Sequence, residues 1–194
     1  MRAEVLQTWS EINKLESEWD LLLLSSRASS VFLSWEWISA WRIVHKDYLQ
    51  PYVIVVRNAD ERLVGLVPFY FSQLRLLKTI SYKTLRFMAD TSTSSEYPDF
   101  IIDPDNEEEI LQIIGAALLA RKDDWDLVWM PRVAGWTGAD TRIWHSMQSA
   151  SIPFRARQTK FSSFSIANGF DSYLKGLPSS SRQQIKRKFR RTVS

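Results

Sequence analysis

The sequence predicts an α+β fold, in which helices flank a mixed, mostly antiparallel central sheet. Helix-like and strand-like segments alternate in the order β-α-α-β-β-β-α-β-α-β-α, which is typical of this class. The middle of the chain holds consecutive strand-like runs separated by short polar turns, as in a hairpin meander. Apolar residues make up 45% and charged residues 24% of the 194 residues, a balance that favours a folded domain over a disordered chain.

The first quarter of the chain predicts one strand and two helices. Residues 3–7 form a short strand-like run, and Ser10–Ser25 places its apolar residues at helical spacing. Ser34 is suited to cap the second helix, because its hydroxyl can accept an N–H of the first turn. Both helices are therefore expected to pack an apolar face on the sheet.

The middle of the chain predicts the strands of the sheet. Tyr52–Arg57 is apolar on both sides, as expected of a strand that is covered on both faces. Arg62–Gln73 reads as its antiparallel partner. Pro68 is expected at a bulge or an edge, since it cannot donate a ladder hydrogen bond. A third strand is expected within residues 74–87.

The second half predicts alternating helices and strands. A helix is expected over Glu107–Arg121, with acids at its N-terminus that complement the helix dipole. Trp125–Met130 predicts a buried strand and Asp140–Ala150 a further helix. Strand-like residues then continue to Ile166, before a turn at Asn168-Gly169.

The composition excludes several kinds of site. The chain has no cysteine, which removes disulfides, thiolate zinc sites and a cysteine nucleophile. His45 and His145 are a hundred residues apart without ligand-spaced partners, so no metal site is expected. The N-terminus lacks the apolar core of a secretory signal, and no run is long enough to span a bilayer. We therefore expect a cytoplasmic protein.

The positive net charge of +3 comes from one segment near the C-terminus. Residues 182–191 hold six basic side chains and no acid. Helical spacing places Arg182, Lys186 and Arg190 on one side, where they can bind phosphates or anionic sugars; a solvated face is the alternative. The pattern Ser181-x-x-Gln184 predicts the start of this helix, which has no stop signal. We expect a chain cut within a longer architecture, with a frayed basic tail as the alternative.

The polar loop Asp90–Asp99 contains the densest group of candidate substrate-binding residues, although no catalytic residue is identified. Glu96 and Asp99 are carboxylates, and Tyr97 supplies a hydroxyl. A carboxylate in a cleft can remove a proton from an attacking amine, and a tyrosine can donate one to a leaving group. The alternative is a solvated loop that uses its small polar residues as turn formers.

One string fits the pyrophosphate-binding pattern Q/R-x-x-G-x-G/A of acyl-CoA-dependent N-acyltransferases. It is Gln112–Ala117. The residues around it form a continuous apolar helical face, so these N–H groups are expected to be bonded within a helix. The start of that helix is rich in acids, which repel a pyrophosphate. The match is therefore interpreted as fortuitous, and Gly135–Gly138 as a simple turn.

A set of short motifs extends over nearly the whole chain. They are Leu15 and Trp19, Phe32-x-Ser34-x-x-Trp37-x-x-x-Trp41, Leu63-Val64-Gly65-Leu66-x-Pro68, Glu96-Tyr97-x-Asp99-Phe100, Trp125-x-Leu127, and Tyr173-Leu174 ahead of Arg182. Together they resemble the N-terminal half of tandem GNAT-type acyltransferases. The resemblance is to the CelD-like proteins of bacterial polysaccharide biosynthesis and, more distantly, to the Fem-type aminoacyl transferases.

This resemblance implies two related domains side by side, the second carrying the donor signature. Residues 1–168 would form the GNAT-like N-terminal domain, and residues 169–194 a linker and the first helix of a truncated second domain. In the complete protein, an amine on a sugar or related acceptor would attack the thioester of acyl-CoA, such as acetyl-CoA. The present chain is expected to be inactive alone, to hold no cofactor or metal, and to need the missing C-terminal domain as its partner.

Two other functions remain open at this point. The chain could be a non-catalytic domain whose basic helix binds an anion or a nucleic acid. Nucleic acid is disfavoured, because aromatic residues other than Phe189 do not interleave with the basic run. The chain could also belong to a Fem-type enzyme that uses aminoacyl-tRNA as donor. The basic helix favours that function, whereas the lack of other basic clusters disfavours it.

Overall fold

The chain divides into two compact units, Met1–Phe154 and Arg155–Ser194. The computed structural model describes residues 1–28, 30–45, 50–76, 79–90, 95–160 and 169–193, the last four of them by backbone alone. The domain boundary expected between residues 168 and 169 adjoins the range 161–168, which lies outside the described residues. That boundary therefore stays a prediction.

The first unit is built on a six-stranded open sheet. Its strands are β1 (Arg2–Leu6), β2 (Gln50–Arg57), β3 (Leu63–Leu76), β4 (Ile80–Phe87), β5 (Ile101–Ile102) and β6 (Leu127–Trp129). They pair in the order β1-β2-β3-β4-β6, and β5 also pairs with β3. All of these pairs are antiparallel except β4 with β6, which is parallel. The predicted α+β class with a mostly antiparallel sheet is confirmed.

Two of the seven described helices begin at side-chain caps. The helices are α1 (Trp9–Ile12), α2 (Glu16–Ser25), α3 (Trp35–Val44), α4 (Glu107–Ala120), α5 (Ala139–Ser149), α6 (Phe170–Gly176) and α7 (Ser179–Val193). The first expected helix is divided into α1 and α2 by one 3-10 turn, and it starts with a capping box formed by Thr8 and Glu11. Ser34 caps α3 as predicted, since its Oγ accepts the N–H of Trp37 at 3.3 Å.

Two apolar cores cover the two faces of the sheet. Alternate residues of β2 point to opposite sides, so Val53 and Val55 pack with α2 and α3, whereas Ile54 and Val56 pack with α4 and α5. Every residue from Tyr52 to Val56 is fully buried. This confirms the prediction that this strand is covered on both faces.

The edge of β3 that pairs with β4 and β5 is interrupted at Pro68. The N–H of Met88 donates to the Pro68 carbonyl, and pairing resumes only where Ile101 meets Leu66. Because proline has no N–H, it cannot support the ladder at this point. The chain therefore leaves the sheet after Met88 and returns near Phe100. The loop between these points separates β4 from β5, both of which pair with β3.

Gly115 allows α4 and α5 to pack closely. A Cβ at this position would lie 2.2 Å from the carbonyl oxygen of Ser146, a distance that no real contact allows. The glycine of the Gln112–Ala117 string is therefore explained by helix packing. The whole string lies inside α4, as interpreted from the sequence.

Three details differ from the sequence predictions. The strand β6 is short and half-exposed instead of buried, because it pairs with β4 alone within the described part of the chain. Residues 155–160 form no strand, since three of these six exposed residues are cations, and the remaining range to Asn168 lies outside the described residues. The last helix begins at Ser179, directly after Pro178, so the expected cap Ser181 lies inside it. No described helix is long and apolar enough to cross a membrane.

Candidate functional site at the strand interruption

The loop that leaves the sheet after Met88 is held at both of its described ends. Near its start, the guanidinium of Arg86 lies 2.6 Å from the buried carboxylate of Asp90. Near its end, the indole Nε1 of Trp37 donates to Ser95 Oγ at 2.9 Å, which joins the loop to α3. Residues 91–94 of the predicted loop lie outside the described residues.

Asp99 and Arg142 form a buried ion pair that fixes the end of this loop to α5. Both side chains are about 3% exposed. Two guanidinium nitrogens of Arg142 contact the carboxylate, and the N–H of Phe100 donates to Asp99 Oδ1 at 2.7 Å. Burial raises the pKa of Asp99, while the charge and hydrogen bonds of Arg142 oppose that shift. Arg142 also donates to the carbonyl of Thr137 at 3.1 Å, so it ties three segments together.

Next to this buried pair lies an exposed cluster, defined here as Glu96, Tyr97, Arg132 and Trp136. Glu96 accepts from Arg132 Nη1 at 2.7 Å, and both side chains remain substantially exposed. The ring of Tyr97 meets that of Trp136 edge-on, with the centroids 4.8 Å apart. A hydrogen bond to the carboxylate of Glu96 raises the pKa of Tyr97 above its ordinary value.

Two residues of the exposed cluster have strained backbone conformations, as do Ala89 at the start of the loop and Glu61 and Ser151 elsewhere. Ala89, Tyr97 and Arg132 have positive φ angles of 49°, 64° and 56°, which are unfavourable for residues with a Cβ. Such conformations persist only when the surroundings hold them, and they are frequent at functional sites.

The structure brings the three loop candidates together but gives them different environments. Glu96 and Tyr97 belong to the exposed cluster and are themselves partly exposed. Asp99 is enclosed with Arg142, and this buried pair fixes the end of the loop to α5.

The candidates near the C-terminus belong to the second unit. Arg182 donates from Nη2 to the carbonyl of Leu177 at 3.3 Å, which fixes the turn between α6 and α7. Lys186 is exposed on α7. Arg190 lies in α7 by its backbone, and its side chain falls outside the described residues.

Arg132, Trp136 and Arg142 were missed by the sequence analysis. Each lies more than 30 residues from its partner along the chain, so no local pattern joins them. Arg142 did leave one signal, because it lies in the same helical stripe as buried Ala139, Ile143 and Ser146. A charged residue inside a buried stripe requires a buried partner.

A cavity of about 710 Å³ lies elsewhere, at another part of the sheet. Its lining includes His45, Tyr70, Lys83 and Asp124, and none of the exposed cluster. Among the described residues, no group of three His, Cys, Asp or Glu side chains could hold a metal ion. The cavity and the exposed cluster are therefore separate features of the first unit.

Comparison with known proteins gives structural matches of low similarity. No protein-family model matches the chain, and no curated protein matches it. A crystal structure of a point mutant of the BH1408 protein from Bacillus halodurans matches with 14% identity and a TM-score of 0.48, over 86% of this chain and 100% of that chain. A tetramutant of that protein matches with 15% identity and a TM-score of 0.47, over 84% and 98%. Neither similarity is high enough to bear on function.

Proposed function

We propose that the first unit is the non-donor domain of a two-domain, acyl-CoA-dependent N-acyltransferase of the GNAT superfamily. The protein would act in the cytoplasm, in polysaccharide or cell-envelope biosynthesis. The observation that supports this most is the order of elements. The helices α1, α2 and α3 separate β1 from β2, four strands with antiparallel pairing (β2 to β5) follow, and α4 leads into β6, which lies parallel to β4. This order agrees with the mixed, mostly antiparallel fold that the resemblance implies.

The start of α4 and the Gln112–Ala117 string within it do not fit an acyl-CoA pyrophosphate. A helix binds phosphate through the free N–H groups of its first turn. The first turn of α4 carries Glu107, Glu108 and Glu109, whose charges repel an anion. Residues Gln112–Ala117 lie deeper in the helix, and Gly115 faces the backbone of α5. We therefore assign the acyl-CoA site to a second domain and derive no step of the donor chemistry from this unit.

The exposed cluster suits the acceptor of such a reaction. Trp136 is 63% exposed and presents an indole on which the apolar face of a sugar ring can pack. Glu96 and the Tyr97 hydroxyl lie beside it and can hydrogen-bond an ammonium or hydroxyl group. In this proposal the first unit binds and orients an amino sugar, and proximity to the thioester supplies much of the rate.

The proposal is tested by assaying this chain beside the product of the complete reading frame that contains it. Release of CoA thiol from acetyl-CoA is measured with a panel of amino sugars. We expect activity from the complete product and none from the chain of 194 residues. In the complete product, Glu96→Gln should lower transfer, whereas Glu108→Gln, which changes an exposed acid on α4, should not. Transfer by this chain alone, or a complete product that binds no acyl-CoA, would contradict the proposal.

A further inference from the structure

The two units carry opposite net charge. Arg155–Ser194 contains ten basic residues and one acid, Asp171, which gives a net charge of +9 over 40 residues. Met1–Phe154 contains 15 basic residues and 21 acids, a net charge of −6. The modest net charge of the whole chain therefore conceals a strongly cationic second unit, which complements an anionic partner.

The second unit also exposes aromatic side chains in one place. The helices α6 and α7 meet through the rings of Phe170 and Phe189, whose centroids are 6.1 Å apart. Leu174 of α6 is buried, but Phe170 and Phe189 remain 43% and 62% exposed. Two large apolar side chains in mutual contact form a continuous patch, which is unfavourable in water unless another surface covers it.

Basic residues border this patch on both sides. On α7, Ile185 and Phe189 define an apolar stripe along the helix. At about 100° per residue, Lys186 lies about 80° from the centre of that stripe on one side, and Lys188 lies about 80° from it on the other side. Both lysines are exposed. Long lysine stems can run along an apolar surface while their ammonium groups reach a polar layer. This is the arrangement of a helix that lies flat in a membrane interface.

We propose that α6 and α7 dock on the surface of an anionic lipid bilayer. Phe170 and Phe189 would enter the boundary between headgroups and acyl chains, and the flanking lysines would contact lipid phosphates. The positive charge of the second unit strengthens binding because anionic leaflets attract basic segments. A nucleic acid fits less well, since successive bases stack on several aromatic side chains, whereas residues 182–191 contain a single aromatic residue, Phe189. The inference does not depend on the enzymatic proposal.

The test is co-sedimentation of the full chain with vesicles. Vesicles of phosphatidylcholine alone are compared with vesicles that contain about 30% phosphatidylglycerol, over a range of salt concentrations. We expect binding to the anionic vesicles, little binding to the neutral ones, and a fall in binding as salt rises. Phe189→Ala should lower the partition coefficient about tenfold, and Lys186→Glu by about fivefold or more.

Matched controls come from exposed residues of the first unit. Leu24→Ala and Lys14→Glu remove the same kinds of group at exposed positions and should leave vesicle binding unchanged. The proposal is overturned if the anionic vesicles do not bind, or if Phe189→Ala binds as tightly as the unaltered chain. If a short single-stranded RNA displaces the chain from the vesicles, and Phe189→Ala does not change vesicle binding, the proposal is wrong and the surface binds the phosphates of a nucleic acid.

Discussion

The loop that follows Met88 contributes the carboxylates of two arginine–carboxylate ion pairs, Asp99–Arg142 and Glu96–Arg132. The two carboxylates are three residues apart in the sequence. The side chains of the first pair are both about 3% exposed, whereas those of Glu96 and Arg132 are 33% and 52% exposed. The chemistry of the charged groups is the same in both pairs. Their surroundings decide that the first pair holds the loop and that the second remains accessible to a solute.

Burial changes what each pair contributes to the free energy of unfolding. Exposed pairs contribute about 0–1 kcal/mol, because water screens the charges and the side chains lose freedom. Breaking a buried pair costs about 3–5 kcal/mol, since the remaining charge is left without compensation. The comparison therefore predicts a structural role for Asp99 and a binding role for Glu96, although the sequence places both in the same motif.

The largest expected effect comes from removing one partner of the buried pair. Arg142→Met leaves the Asp99 carboxylate enclosed, so we expect a loss of about 3–5 kcal/mol in the free energy of unfolding, measured by urea denaturation. Arg132→Met, at the exposed pair, should cost less than about 1 kcal/mol. Equal losses for the two variants would contradict the distinction.

The next largest effect tests whether close packing between α4 and α5 keeps α5, which carries Arg142, in place. Gly115→Ala would place a Cβ 2.2 Å from the Ser146 carbonyl oxygen, so α5 must shift. We expect a loss of about 1–3 kcal/mol. The control is Gly176→Ala, at a position where an added Cβ has no neighbour within 4 Å. A Gly115→Ala variant as stable as the control would show that the helices have room to separate.

A smaller effect concerns pH. The hydrogen bonds from Arg57 lower the pKa of Glu18, so the folded state retains the charge to lower pH than the unfolded chain. Its stabilising contribution is present above the ordinary carboxylate pKa and is lost as pH falls through the lowered value. For Asp99 the sign is opposite, because burial raises its pKa and its contribution declines as pH rises.

The urea midpoint measured from pH 7 to about pH 3 tests this assignment. In Glu18→Gln the acid-induced decrease should be shallower than in the unaltered chain. Glu16→Gln, at an exposed acid two residues away, serves as the control. If the urea midpoint of Glu18→Gln depends on pH in the same way as that of the unaltered chain, Glu18 does not contribute to the loss of stability in acid.

Local features of the fold could be predicted from the sequence, whereas the contacts that define the site could not. Ser34 was identified as a cap because capping involves residues three positions apart. The burial of Tyr52–Val56 was evident from a continuous apolar run. Even the strand interruption had a local cause, since Pro68 cannot donate to the ladder.

The ion pairs were different, because they depend on how distant segments meet. Asp99 and Arg142 are 43 residues apart, and Glu96 and Arg132 are 36 apart. The sequence therefore placed Glu96, Tyr97 and Asp99 together, but it could not tell which carboxylate was enclosed. The exposure of Trp129 was missed for the same reason, since it depends on the place of β6 in the sheet.

The most direct test of the proposed acceptor surface is the Michaelis constant of the Glu96→Gln variant of the complete product, measured separately for the two substrates. The account predicts a higher KM for the amino sugar acceptor and an unchanged KM for acetyl-CoA, with the urea midpoint within error of the unaltered protein. An unchanged acceptor KM, or a raised KM for acetyl-CoA, would contradict it.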